Sequence, residues 1–89
     1  GSFQLYQNYP NPFNPDTNIK YEISSKQFVT LKIYDTTGRE LKTLINEEKE
    51  PGYYTSRFSV KDYNISSGVY FYQLKAGEFI QTRKMTLLK

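Results

Sequence analysis

Apolar and polar residues alternate with a period of two along most of this chain, which is the pattern of strands with one buried face. In the clearest run, Ile19, Tyr21 and Ile23 alternate with charged residues. A second run over 29–33 alternates in the same way. No stretch of convincing length repeats its apolar residues at helical spacing. The pattern therefore predicts an all-β protein.

The second run and the segment after it are predicted to form a hairpin. Gly38 follows Asp35-Thr36-Thr37, and its freedom to adopt a positive φ suits the end of a tight turn. The returning strand carries Leu41, Leu44 and Ile45. Because Leu41 and Leu44 are out of phase for a period of two, we expect a β-bulge between them.

Two further signals organise the middle of the chain. The charged stretch Asn46–Glu50 is predicted to be a solvent loop, and Pro51-Gly52 a type II turn. A strand over 53–60 follows, with Phe58 on its apolar face, and 61–68 is a polar connection without periodicity.

The last third of the chain is predicted to be another hairpin. Residues 69–76 are the most strand-like segment, with Tyr70 and Tyr72 on one face. Ala76-Gly77 is predicted to be a two-residue turn, and the last strand to cover 78–88.

These segments make six strands, and a short seventh is expected within Leu5–Asn8. Short antiparallel strands separated by frequent turns predict an immunoglobulin-like or fibronectin-III-like β-sandwich of about seven strands. The segment Tyr9–Pro15 cannot be an interior strand, because its three prolines lack backbone donors. We expect it to be a stiff lid that lays Tyr9 and Phe13 over the end of the core. A motif for a proline-recognising partner is the alternative.

Composition limits the chemistry available to this domain. The 89 residues suffice for one small domain, 3–89, and Gly1-Ser2 is interpreted as a remnant of tag cleavage. Aromatic residues make up 17% of the chain, which lets a thin core bury enough area to fold. The sequence has no Cys and no His, which excludes disulfides, imidazole catalysis and the usual zinc ligands. The apolar runs are too short to span a membrane.

The net charge of +3 arises from the carboxyl-terminal residues 82–89, which hold Arg83, Lys84 and Lys89 and no acid. A nucleic-acid-binding protein would show a larger basic stripe with exposed aromatics, so no nucleic-acid partner is predicted. The basic end is either a solvated strand edge or part of a recognised tail. No acids, nucleophiles or metal ligands cluster along the chain, so no catalysis, metal or cofactor is predicted.

The order of the motifs closely resembles one family. The chain carries, in sequence, Asn8-Tyr9-Pro10-Asn11-Pro12-Phe13-Asn14-Pro15, Gly38-Arg39, Pro51-Gly52-Tyr53, Ser67-Gly68-Val69-Tyr70-Phe71-Tyr72 and Thr82-Arg83-Lys84-Met85-Thr86-Leu87-Leu88-Lys89. This set over residues 5–89 resembles the type A C-terminal sorting domain of the type IX (Por) secretion system. The family's recurring positions fall on Pro10, Asn11, Pro12, Gly38, Gly52, Gly68, Tyr70 and Lys84–Lys89.

The resemblance implies a role in protein export by bacteria of the Bacteroidetes and related groups. A cargo fused ahead of the domain would fold in the periplasm, and the outer-membrane translocon would then recognise the domain. A sortase-like surface protease would remove it, leaving the cargo secreted or at the cell surface. Domains of this kind are non-catalytic and carry no cofactor. They resemble immunoglobulin-like sandwiches.

Two departures from the family pattern stand out. Where relatives often carry Trp-Asp-Gly, this chain has Phe58-Ser59-Val60-Lys61-Asp62, and we expect Phe58 to replace a core tryptophan. The cleavage point would lie ahead of the domain, outside this sequence.

We expect the last strand to offer a free cationic edge, and Lys84, Met85, Thr86, Leu87, Leu88 and Lys89 to be the element that the translocon recognises. The competing interpretation is that Met85 and Leu87 belong to the core. A carbohydrate-binding module is the main rival function, with Tyr53, Tyr63 and Tyr72 as a sugar-stacking plane. A structural spacer or assembly domain, similar to that of the flagellar hook-capping protein, is the third.

Overall fold

The computed structural model describes residues 2–89, so Gly1, half of the expected tag remnant, lies outside the described residues. All its regular elements are strands. They are β1 (Gln4–Leu5), β2 (Asp16–Ile23), β3 (Gln27–Tyr34), β4 (Glu40–Lys49), β5 (Gly52–Ser59), β6 (Gly68–Ala76) and β7 (Phe79–Leu87). No helix of membrane-spanning length and apolarity occurs within residues 2–89.

The strands form two antiparallel sheets that pack as a sandwich. One sheet has the order β1-β2-β5 and the other the order β4-β3-β6-β7. The predicted all-β sandwich of seven antiparallel strands is therefore confirmed. The short first strand is Gln4–Leu5 rather than a segment within Leu5–Asn8, and it pairs with Glu22 and Tyr21.

Alternation along the strands builds the core, as predicted. Most of the fully buried apolar residues lie on the inward faces of β2, β3, β6 and β7, and they include Ile19, Tyr21, Ile23, Val29, Leu31, Ile33, Tyr72, Leu74, Met85 and Leu87. Phe58 of β5 is 2% exposed and lies in the core, as expected from the sequence. Burying such side chains is the main source of stability, at about 25 cal/mol per Å² of apolar area.

The predicted bulge in the first hairpin is confirmed. Leu31 lies opposite Ile45, but Lys32 lies opposite Thr43, so Leu44 is an extra residue of β4. A second register shift, between Ile33 and Tyr34 of β3, makes Leu41 another extra residue. These extra residues change the phase of β4 and account for the interrupted alternation in its sequence.

The predicted solvent loop at Asn46–Glu50 is wrong, because β4 continues to Lys49 and pairs there with Gln27–Thr30. β4 is the outer strand of its sheet, where charged side chains reach water and also discourage pairing with other chains. Lys26 lies 3.6 Å from both Glu48 and Glu50, which compensates part of the acidic charge.

Two turn assignments also need correction. Ala76 is buried and pairs with Phe79, so the turn residues are Gly77-Glu78 rather than Ala76-Gly77. Gly77 has a φ of 61°, which suits the first position of a two-residue hairpin loop. Gly52 has a φ of 156°, far from the value near +80° that a type II turn requires.

Candidate recognition site

The predicted recognition element, residues 84–89, is partly buried in the core and partly exposed on the surface. Met85 and Leu87 have no exposed surface, because their side chains point into the sandwich. Lys84, Leu88 and Lys89 are exposed, and Thr86 is half-buried. Only these outward side chains could be read by a partner of the folded domain.

The expected free edge of β7 is wrong for the segment 84–88. β7 is the outer strand of its sheet, but the arm formed by residues 6–15 lies along its end. The Phe13 amide donates to the Thr86 carbonyl at 3.0 Å, and the Leu88 amide donates to the Phe13 carbonyl at 3.1 Å. The Thr86 amide donates to the Asn11 side-chain oxygen at 2.9 Å. The backbone groups that strand addition requires are therefore already paired.

A buried hydroxyl fastens this arm to the core. The Tyr72 hydroxyl donates to the Tyr6 carbonyl at 2.7 Å and accepts from the Asn8 amide at 2.8 Å. The Asn8 side chain donates to the Thr17 hydroxyl at 2.9 Å, and that hydroxyl donates to the Pro10 carbonyl at 2.8 Å. The arm thus contacts both sheets, since Thr17 belongs to β2 and Tyr72 to β6.

The two aromatic rings of the arm have different positions. Phe13 is 2% exposed and tilts against Phe58, with the ring centroids 6.1 Å apart, as expected for a lid over the core. Tyr9 is 79% exposed, so the expectation that its ring also covers the core is wrong. The pairing of Tyr9 with Asn18 at the edge of the other sheet turns its side chain outward.

Most of the positions shared with the family pattern gather at one end of the sandwich, which we call the distal pole. It comprises the turn Asp35–Arg39, the connection 61–67, the prolines of the arm, and Leu88–Lys89. The Lys89 amide donates to the Ser67 hydroxyl, and the Tyr70 hydroxyl donates to the Ser66 carbonyl. Strand directions place the following positions at or near this pole: Pro10, Asn11, Pro12, Gly38, Gly68, Tyr70 and Lys84–Lys89. Gly52 lies at the opposite end, beside Ile23.

Positive charge at the distal pole is only partly compensated. Arg83 donates from Nε to the Leu5 carbonyl at 2.6 Å, so its guanidinium also fastens the amino-terminal segment. Within residues 2–89, Lys84 and Lys89 form no ion pair, whereas Lys32 lies 3.3 Å from Glu40. Uncompensated ammonium groups on an exposed surface attract acidic partners.

The turn Asp35–Arg39 is held by its own carboxylate. Asp35 accepts hydrogen bonds from the Thr37 hydroxyl at 2.6 Å, from the Thr37 amide at 2.9 Å and from the Arg39 amide at 3.0 Å. The hydrogen bond from the Thr37 hydroxyl is the main cause that lowers the pKa of Asp35. Gly38 has a φ of 87°, which confirms the expectation of a positive φ at this position.

The predicted sugar-stacking plane is wrong. Tyr72 is fully buried, and Tyr63 is half-buried with its ring 6.0 Å from that of Phe58. Only Tyr53 projects into solvent, with 77% of its surface exposed. The three rings therefore do not share an exposed face.

Among residues 2–89 no three acidic, histidine or cysteine side chains come together as a metal site would require. Asn8, Thr17 and the role of the Tyr72 hydroxyl were not predicted from the sequence. The hydrogen bonds described above for these residues join positions 7 to 66 apart, and local periodicity carries no signal for contacts of that kind.

Comparison with known proteins agrees with this arrangement. Residues 7–88 match the family model of the secretion system C-terminal sorting domain. A search of the curated proteins found no match, and a search of the solved structures found none. The matched range includes β2 to β7, nearly the whole arm and all but the last residue of the carboxyl-terminal tail. The chain therefore belongs to the family of secretion system C-terminal sorting domains, the signals by which type IX secretion exports a fused cargo to the cell surface or exterior.

Proposed function

We propose that this domain is a non-catalytic targeting signal whose outward-facing tail side chains, Lys84, Thr86, Leu88 and Lys89, are recognised by the outer-membrane translocon of type IX secretion. A sortase-like surface protease then cuts ahead of residue 3. The observation that carries the proposal is the separation between the two ends of the domain.

Cargo and tail would lie at opposite poles. Phe3 stacks on Phe79 at the start of β7, with ring centroids 5.6 Å apart, whereas Leu88 and Lys89 follow the end of that strand. Nine strand residues span roughly 30 Å at about 3.3 Å each, and the longest dimension of the domain is 37 Å. A cargo fused ahead of Phe3 would therefore join the domain at the end opposite the tail.

Recognition of the tail through its side chains, rather than through backbone pairing, is consistent with the covered edge of β7. The backbone groups of Thr86 and Leu88 are paired with the arm, so a partner that added a strand there would first have to displace Phe13 from the core. The exposed Lys84 and Lys89 ammonium groups need no such rearrangement. A partner surface with carboxylates would match them.

The test uses charge reversal rather than truncation, because deleting 85–89 would also remove the buried Met85 and Leu87. A reporter with a periplasmic export signal is fused ahead of the domain and expressed in a bacterium with type IX secretion. We expect Lys84→Glu/Lys89→Glu to abolish release of the reporter into the medium. The matched control Lys20→Glu/Lys75→Glu also reverses two exposed lysines, outside the distal pole.

Thermal unfolding of both purified variants shows whether each is folded. Release of the tail variant at the wild-type level would overturn the proposed role of the tail. Cleavage is tested separately, by mass spectrometry of the released reporter. A carboxyl terminus ahead of residue 3 is expected, and a released reporter that still carries the whole domain would contradict proteolytic removal.

A further inference from the structure

We propose that a groove on the outer face of the four-stranded sheet, beside the turn Asp35–Arg39, is a second contact site for the same secretion machinery. It would take an apolar side chain that the partner carries next to a carboxylate. This inference rests on the proposed function, because it assigns a second part of the surface that the translocon reads.

The groove has a volume of about 420 Å³. Its apolar part is made by Tyr34 and Phe71, which are half-buried although they lie on the outward face of the sheet. The remaining lining residues are Asp35, Thr36, Gly38, Gln73 and Thr82. Apolar surface with a few polar groups around it is the usual composition of a site that takes a partner's side chain.

The groove adjoins the proposed tail site. Tyr34 lies opposite Phe71, and Phe71 lies opposite Lys84, so the three form one row across β3, β6 and β7. Neighbouring strands are about 4.8 Å apart, which puts the backbones of Tyr34 and Lys84 roughly 10 Å apart. One short segment of a partner could therefore contact the aromatic rings and the tail together.

The charges beside this row favour a carboxylate on the partner. At one end of the row, Glu40 lies opposite Tyr34 and is engaged by Lys32 at 3.3 Å and by the Thr43 hydroxyl at 2.7 Å. At the other end, Lys84 is exposed and has no ion pair within residues 2–89. The uncompensated charge is therefore positive and lies on the side of the tail.

The wall of the groove is already formed in the free domain. The Asp35 carboxylate holds two backbone amides of the turn. The Gly38 amide also donates to the Asp35 carbonyl at 3.1 Å. A partner that binds here would have little loop entropy to remove, which favours affinity.

The test fills the groove without altering the core. Thr82 is exposed on β7 and lines the groove, so Thr82→Arg places a long side chain over it. Ile80→Arg is the matched control, because Ile80 lies two residues earlier on the same face of the same strand, 56% exposed and outside the groove. In the reporter assay, we expect Thr82→Arg to lower release by at least about tenfold, the loss that 1.4 kcal/mol of binding would cause. Ile80→Arg should stay within about twofold of wild type.

A second pair of variants removes the aromatic surface instead. Phe71→Thr should lower release, whereas Phe28→Thr, on the same sheet face near the opposite pole and 58% exposed, should not. A photo-crosslinking phenylalanine analogue at position 71 should give an adduct with an outer-membrane protein. An adduct with a second copy of the domain instead would overturn the proposal.

The outcomes separate this inference from the proposed function. Suppose that Thr82→Arg and Phe71→Thr release the reporter normally, whereas Lys84→Glu/Lys89→Glu does not. That result would overturn the proposed groove site and leave the proposed tail site standing. Normal release of all of these variants would overturn both. Equal losses in Thr82→Arg and Ile80→Arg would also overturn the groove, because they would trace the defect to added charge on β7.

Discussion

Tyr72→Phe removes one oxygen atom from the centre of the domain and tests how the arm is held. The Tyr72 side chain is fully buried, and its hydroxyl joins the Tyr6 carbonyl to the Asn8 amide. Phenylalanine keeps the ring and its packing. The substitution therefore isolates two hydrogen bonds between residues that are more than 60 positions apart.

The expected loss of stability follows from the backbone groups that lose their hydrogen-bond partner when the hydroxyl is removed. Asn8 is 2% exposed, so its amide would lose its partner without gaining water. A net hydrogen bond contributes about 1 kcal/mol, and an unpaired buried donor costs about 1–3 kcal/mol. We expect the free energy of unfolding to fall by about 2–3 kcal/mol. A domain of 89 residues has a total stability of roughly 4–13 kcal/mol, so the loss should lower the Tm by roughly 8–24 °C.

Urea unfolding at pH 7, followed by circular dichroism, measures this loss, and Tyr70→Phe is the matched control. Tyr70 lies two residues earlier on the same face of β6, but its hydroxyl makes one hydrogen bond, to the Ser66 carbonyl four residues away. We expect Tyr70→Phe to cost about 1 kcal/mol. Hydrogen exchange at the Asn8 amide should accelerate in Tyr72→Phe alone. Equal losses in the two variants, with unchanged exchange at Asn8, would refute the reasoning.

Three further predictions concern stability. Gly38→Ala should cost about 1–2 kcal/mol in urea unfolding, because alanine is strained at a φ of 87° although no atom lies within 4 Å of the added carbon; an unchanged midpoint would contradict this. Deletion of 85–89 removes two fully buried side chains worth about 2–5 kcal/mol each, so the circular dichroism spectrum should show an unfolded chain. Burial raises the pKa of Tyr21 and Tyr72 from 10 to about 12, so their stabilisation is complete below pH 10 and falls by about 2–3 kcal/mol per residue as the pH rises to 12. Urea midpoints from pH 8 to 12 test this, and Tyr72→Phe should show a weaker fall than wild type.

The alternation of apolar and polar residues predicted the parts of the fold in which one strand face is buried and the other is exposed to solvent. β2 and β3 follow this rule, and even the bulge at Leu44 was evident as a break in phase. The rule failed at Asn46–Lys49, because an outer strand can place charged residues on successive positions and still form its ladder. In that segment pairing depends on the partner strand Gln27–Thr30, which the local sequence does not reveal.

The candidate site was predicted only as a stretch of chain. The order of motifs identified the family, and the basic composition of 82–89 indicated the tail. Neither feature showed that Thr86 would be covered by Asn11 and Phe13, because these contacts join positions 73 to 75 residues apart. The groove at Tyr34 and Phe71 could not be predicted from the sequence either, because it forms only when the strand order places β3 beside β6.

The arm and the last strand depend on each other, and under the proposed function this dependence would explain how a short tail acts as a signal. Met85 and Leu87 complete the core on which Phe13 packs, while the arm pairs the backbone of Thr86 and Leu88. Residues near both ends of the domain must therefore be in place before Lys84 and its neighbours are displayed on a rigid surface. An unfolded chain has the same basic residues but holds them in no fixed geometry, and ordering them at the moment of binding would cost affinity. A partner that reads the distal pole of the folded domain thus distinguishes a completed sorting domain from an unfolded one.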